Sequence, residues 1–151
     1  MLIDGEEQYS DAQALTATEV STNVIDHGVD GDIGLGVGEP VDVVIQTDVL
    51  ADDTDGDETY TVTLQTDDDS AFGSPTQIGG TLTIARGTLA GVRFFIPLPP
   101  LKEFKRHSRL NYTLGGTSPS ITLTAMLMLR RFVQNEAEYP DNSPITTPVG
   151  P

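Results

Sequence analysis

The residues of this chain best suited to chemistry are carboxylates. Residues 51–58 read ADDTDGDE, and acids alternating around a glycine are how short loops wrap Ca2+ in oxygen ligands. Asp53, Asp55 and Asp57 are the candidate ligands. The pattern is incomplete. Gly56 follows Asp55 directly, no Glu closes the loop at its twelfth position, and the flanking segments read as strands rather than helices. The favoured expectation is a solvated hairpin loop whose like charges resist edge-to-edge pairing, so no metal and no cofactor are expected. Asp67, Asp68 and Asp69 read the same way with less support.

Acid–base catalysis by two carboxylates needs surroundings that drive their pKa values apart, and these polar loops hold nothing that would desolvate an acid. An acidic hydrolase working through Asp53 or Asp55 is therefore the last-ranked reading. The two histidines give no stronger lead. His27 lies between a short strand, NVID, and a glycine, which makes it a turn histidine. His107 sits in a basic run and is expected at the surface. Neither belongs to a serine-elbow or metal-ligand motif, and no catalytic residue is assigned. The glycines at 28, 31, 34, 36 and 38 lead into Glu39, Pro40 and a strand. A dinucleotide loop instead follows a strand and opens a helix, so this stretch is a connection.

The other concentration of function-bearing residues is basic. Lys102, Lys105, Arg106 and Arg109 are four of the chain's 8 Lys and Arg, and Phe104 stands among them. Charge runs are commonly just solvated. The functional reading is an electrostatic anchor on an acidic protein, with Phe104 as its apolar plug. Around this run the chain is acidic, with a net charge of -15. No Lys or Arg precedes Arg86, and 19 of 23 acids do, so the two parts carry 0 - 19 = -19 and 8 - 4 = +4. Such a surface is repelled by nucleic acid and by anionic membranes, and neither is expected as a partner.

The elements that position these residues are strands. Val41, Val43 and Ile45 alternate with Asp42 and Gln46; Tyr60, Val62 and Leu64 alternate with threonines and Gln65. Leu82 and Ile84 continue the pattern, as do Val92, Phe94, Ile96 and Leu98, then Leu110, Tyr112 and Leu114, and finally the odd positions from Ile121 to Leu129. Period 2 is the mark of half-buried strands. Turn-rich clusters separate them and no amphipathic helix intervenes, so the fold class is all-β, an antiparallel β-sandwich or jelly roll. Pro97 ends its strand or places it at a sheet edge. Met126 and Met128 lie on the second face of the last strand, either because that strand is buried on both sides or because they meet a partner subunit. Residues 1–20 are an N-terminal arm or a short first strand, 21–133 the sandwich, and 134–151 an extended proline-rich tail, dispensable or a tether.

A chain of 151 residues is one ordinary domain. It holds no cysteine, which excludes disulfides, thiolate metal sites and cysteine nucleophiles and favours folding in a reducing cytoplasm. No stretch approaches the roughly 18 apolar residues of a membrane helix, and the first residues lack a signal-peptide pattern. A soluble, non-exported protein is expected.

Several pieces together resemble a known family. YSDAQALTATEVSTNVIDHG, a glycine loop and GEPVDVVIQTD, followed by TVTLQTDDDSAFGSP, RFFIPLP and RLNYTLGG, are similar in order to the capsid cement (decoration) proteins of short-tailed Bordetella-type bacteriophages, over roughly residues 9–130. The extra acids at 52–58, the basic run and the tail depart from that pattern. The resemblance implies a jelly-roll-like sandwich, a homotrimer on the outer surface of the virion, and a partner in the major capsid protein, with the chain made in the host cytoplasm. On that reading Arg93, Lys102, Phe104, Lys105, Arg106 and Arg109 dock on the capsid. Tyr9, Ser10, Asp11 and Gln13, with Met126 and Met128, contact subunits or neighbours. The alternative is a calcium-dependent carbohydrate- or host-binding module of a phage tail or surface protein.

Overall fold

The computed structural model describes residues 7–28, 40–98 and 105–130. The nine strands among them form two sheets, all pairs antiparallel. One sheet orders β1 (Gln8–Leu15), β9 (Ile121–Leu129), β4 (Val41–Val49) and β7 (Arg93–Pro97). The other orders β2 (Glu19–Val20), β8 (His107–Gly115), β5 (Thr59–Asp67) and β6 (Thr76–Ile84), with β3 (Ile25–Asp26) also on β8. The fold is an all-β antiparallel sandwich. Its pairing has a simple logic: β1 meets β9, β2 and β3 meet β8, β4 meets β7, and β5 meets β6. The chain is a long hairpin wrapped so that its two arms alternate across both sheets.

The alternation read from the sequence is what builds the core. Tyr60, Val62, Leu64, Leu110 and Tyr112 point inward from one sheet, and Val43, Ile45, Ile96, Leu123 and Leu127 from the other. Apolar faces of two sheets bury each other about 10 Å apart. β7 ends at Pro97 and is an edge strand, the place where a residue without a ladder donor is tolerated.

Three features depart from the simple pattern. Residues 8–15 take the first-strand alternative, and that strand is irregular, with bulges between Gln8 and Ser10 and between Ser10 and Gln13. β6 begins at Thr76, well before the alternating Leu82 and Ile84, because a bulge at Gly79 and Gly80 interrupts its register. Gly79 has φ +69, and a Cβ there would stand 3.1 Å from the Leu98 side chain. The connection from β8 to β9, which crosses between the sheets, presses hardest of all: at Gly116, φ +94, a Cβ would fall 2.5 Å from the Asp57 carbonyl. The glycine-rich connection (29–39), Lys102, Phe104 and the tail (134–151) lie outside the described residues.

Candidate functional site

The basic residues expected to dock do not form one patch. Arg93 projects from β7 on the outward face of the first sheet, where its Nε donates to Gln46 Oε1 at 3.0 Å. Arg109 projects from β8 on the outward face of the opposite sheet. Its guanidinium stacks 4.2 Å over Phe72, and its Nε donates to Gln65 Oε1 at 3.0 Å. A stacked arginine is held by the ring's quadrupole as well as by its hydrogen bond. Arg106 lies at the start of β8 in a bidentate pair with Asp26, Nε to Oδ1 and Nη2 to Oδ2 both at 3.1 Å. That pair pulls the Asp26 carboxyl down to about 2. The Lys105 side chain is half-exposed beside this group, and its backbone N donates to Thr66 Oγ1. Lys105, Arg106 and Arg109 thus follow one another into the start of β8, and Arg93 belongs to the other sheet.

The N-terminal contact residues need a larger correction. Tyr9 and Ser10 are fully buried in the chain's own core and offer nothing to a neighbour. The bulges turn both side chains inward. There the Tyr9 hydroxyl meets Ser108 Oγ at 2.7 Å, and Ser10 Oγ meets the Tyr112 hydroxyl at 2.7 Å. Ser108 Oγ also lies 2.7 Å from His27 Nε2. β1 belongs to one sheet and β8 to the other, so these bonds latch the two sheets together along the β1 edge. Burial raises the Tyr9 and Tyr112 phenols above their ordinary range and pushes His27 down to about 4. Gln13 is spent on a local lock, accepting from Ser10 Oγ and the Thr22 backbone N and donating to Val20 O. Of the four residues, Asp11 is the one that is exposed.

His27 lies between β3 and Gly28, where the sequence places it, and its side chain belongs to the buried latch. His107 differs from expectation: its side chain is 12% exposed, with Nε2 3.7 Å from Asp26 Oδ2. Ser108 beside His27 has the atom pair of a nucleophile and a base. Ser108 is fully buried between the sheets, so no substrate reaches its hydroxyl in this conformation.

The acidic loop is braced, not convergent. Asp53 pairs with Arg86 at 2.7 Å, and Asp52 accepts from Thr54 Oγ1. Asp57 accepts from the Thr117 backbone N and Oγ1, which lowers its pKa. Glu58 folds back to accept from the Asp55 backbone N. Asp53, Asp55 and Asp57 are not brought together, and among the described residues no three His, Cys, Asp or Glu form a set able to hold a metal ion. Glu58 is only 2% exposed, and its Oε2 has no partner. Sequence reading offered no signal for that burial.

Met126 and Met128 stand on the outward face of the first sheet, in register with Val44 and Asp42. Met128 is buried and Met126 half-buried. The class of protein is thus defined: an antiparallel β-sandwich latched through its core, whose surface features are a basic corner, a braced acidic loop and an apolar outer face. The Bbp16 family model matches residues 9–127, from β1 to β9. The chain belongs to the Bbp16 family, a name that points to a Bordetella phage protein. No curated protein matches the sequence.

Proposed function

We propose that this chain is a structural protein of the virion that binds the outer surface of a tailed-phage capsid and cements neighbouring capsomers. The observation that carries the reading is the family match, which spans the whole sandwich and ends short of the tail. The jelly-roll-like wrapping implied by the resemblance is consistent with the long-hairpin order of the strands. A cementing protein needs a rigid body and surfaces for its neighbours, and requires no catalytic group. It acts as a homotrimer, so that each copy adds linked contacts and the whole gains by multivalency. Binding only the assembled lattice stabilises that lattice by linkage.

Docking is electrostatic at the corner of Lys105, Arg106 and Arg109, where an acidic surface of the major capsid protein exchanges for Asp26 and Gln65. Phe104 and Lys102 belong to the same run of sequence. Reversing charge with Lys105→Glu and Arg106→Glu is expected to lower occupancy on undecorated capsids and to flatten its salt dependence. Thermal unfolding of the same variant separates lost docking from lost fold. Unchanged occupancy would remove the docking surface, and a monomer by light scattering would remove the trimer.

A further inference from the structure

Arg86, Arg106 and Arg130 each hold a carboxylate of the chain itself, on Asp53, Asp26 and Asp42 respectively. Arg109 is held differently. Its Nε donates to the amide oxygen of Gln65, and its guanidinium lies over the Phe72 ring. Both partners are neutral, so no contact compensates the charge. Its two Nη groups have no hydrogen-bond partner among the described residues, and neither is buried. The result is a forked pair of donors, fixed in plane and open to solvent.

The loop between β5 and β6 is built around that ring. Asp67, buried at the end of β5, accepts from the backbone N of Asp69 and of Ser74. Asp69 Oδ1 accepts from the Ala71 N, and the Asp69 carbonyl from the Phe72 N. Phe72 itself has φ +52, a conformation that a bulky side chain rarely adopts and that its surroundings must impose. The loop thereby seats the ring, buried, beneath Arg109. The stack and the Gln65 bond remove in advance the rotamer freedom that a surface arginine otherwise loses on binding.

The β2–β3 edge runs along the other side of Arg109. Val20 stands opposite Asn111 in register, Ile25 stands opposite Ser108, and the Ser21 N donates to the Leu110 carbonyl between them. Val20 is 38% exposed, and Val24, one residue before the buried Ile25, is 43% exposed. An arginine anchor beside apolar contacts is the composition of an interface hot spot.

We infer that Arg109 is the anchor of the docking surface. It receives a carboxylate of an acidic partner protein through its Nη groups, and Val20 and Val24 take an apolar neighbour of that carboxylate. The inference rests on the docking reading above and sharpens it: within the basic run, Arg109 rather than the Asp26-bound Arg106 is the point of recognition. A carboxylate fits this fork better than a phosphate polymer, which the chain's net charge of -15 repels.

Two measurements test the anchor and the cementing role separately. In nitrogen NMR spectra of the full chain, the arginine Nε–H signals are followed as a synthetic peptide of alternating glutamate and valine is added. A saturable shift at Arg109 that precedes any at Arg106 is expected, with none when glutamine replaces glutamate. No shift at Arg109, an earlier one at Arg106, or a response to inorganic phosphate but not to the peptide would overturn the inference. On undecorated capsids, Arg109→Lys keeps the charge and loses the fork. It is expected to weaken binding roughly ten-fold, whereas Arg93→Lys, the same change on the opposite sheet, leaves binding unchanged. Equal binding by Arg109→Lys and the unaltered chain would overturn the anchor and leave the cementing role standing. An unaltered chain that binds no capsid yet answers the peptide at Arg109 would support the anchor and remove the cementing role.

Discussion

Tyr9, Ser108 and His27 form a buried chain of three polar groups linked by two 2.7 Å bonds. A buried polar group is stable only while its partners are present. Removing one hydroxyl with Tyr9→Phe leaves Ser108 with His27 as its remaining side-chain partner and is expected to cost about 1 kcal/mol, the net worth of one hydrogen bond. Urea unfolding measures it, with the slope unchanged because the exposed surface is unchanged. The same latch sets an acid limit. His27 has an ordinary value of 6.5 and a folded value of about 4, so between these pH values the unfolded chain binds the extra proton. Stability therefore falls as pH drops from 6.5 towards 4. Asp26, held down to about 2 from 3.8 by Arg106, adds a second loss below that window. His27→Gln retains a partner for Ser108 and is expected to flatten the upper limb of a stability–pH curve while leaving the lower one.

Strands and turns show how much of this was legible beforehand. Tyr60, Val62 and Leu64 lie inward as their alternation implies, and so do Leu110 and Tyr112, because those strands pair without interruption in their central register. β1 defeated the same logic. Two bulges and the positive φ of Ala12 break period 2, so Tyr9 and Ser10 looked like a reaching arm and are core. β6 was half hidden by its glycine bulge. His27 follows a short strand and precedes a positive-φ glycine as its sequence implies, but its burial was hidden because a two-residue strand carries no period to read. The split of Arg93 from Arg109 arises from sheet order, which no local pattern contains. The tightest element contact is the connection after β8. Gly116→Ala meets both the forbidden φ and the Asp57 carbonyl, whereas Gly28→Ala, at φ +81, meets nothing within 4 Å. The first is expected to lose roughly 2 kcal/mol or more and the second about 1 kcal/mol. Thermal melts of the two variants compare them directly.

At the scale of the whole molecule, the acidic charge and the few arginines divide the work. The described arginines are all engaged within the chain, with Asp26, Asp42, Asp53, Gln46 or Gln65 as partners. On the proposed cementing role, the excess of acid would keep decorated particles apart, and the basic corner would give the sandwich a preferred orientation on an acidic shell. The long-hairpin wrapping makes a body whose first and last strands are paired, so force applied at either end is carried by the β1–β9 ladder. These properties suit a protein that holds other proteins in place. The most direct measurement is the rupture temperature of undecorated capsids with and without saturating purified chain. Saturable binding together with a higher rupture temperature is the expected result. Capsids that bind no chain, or that bind it and rupture at the same temperature, would contradict the cementing role.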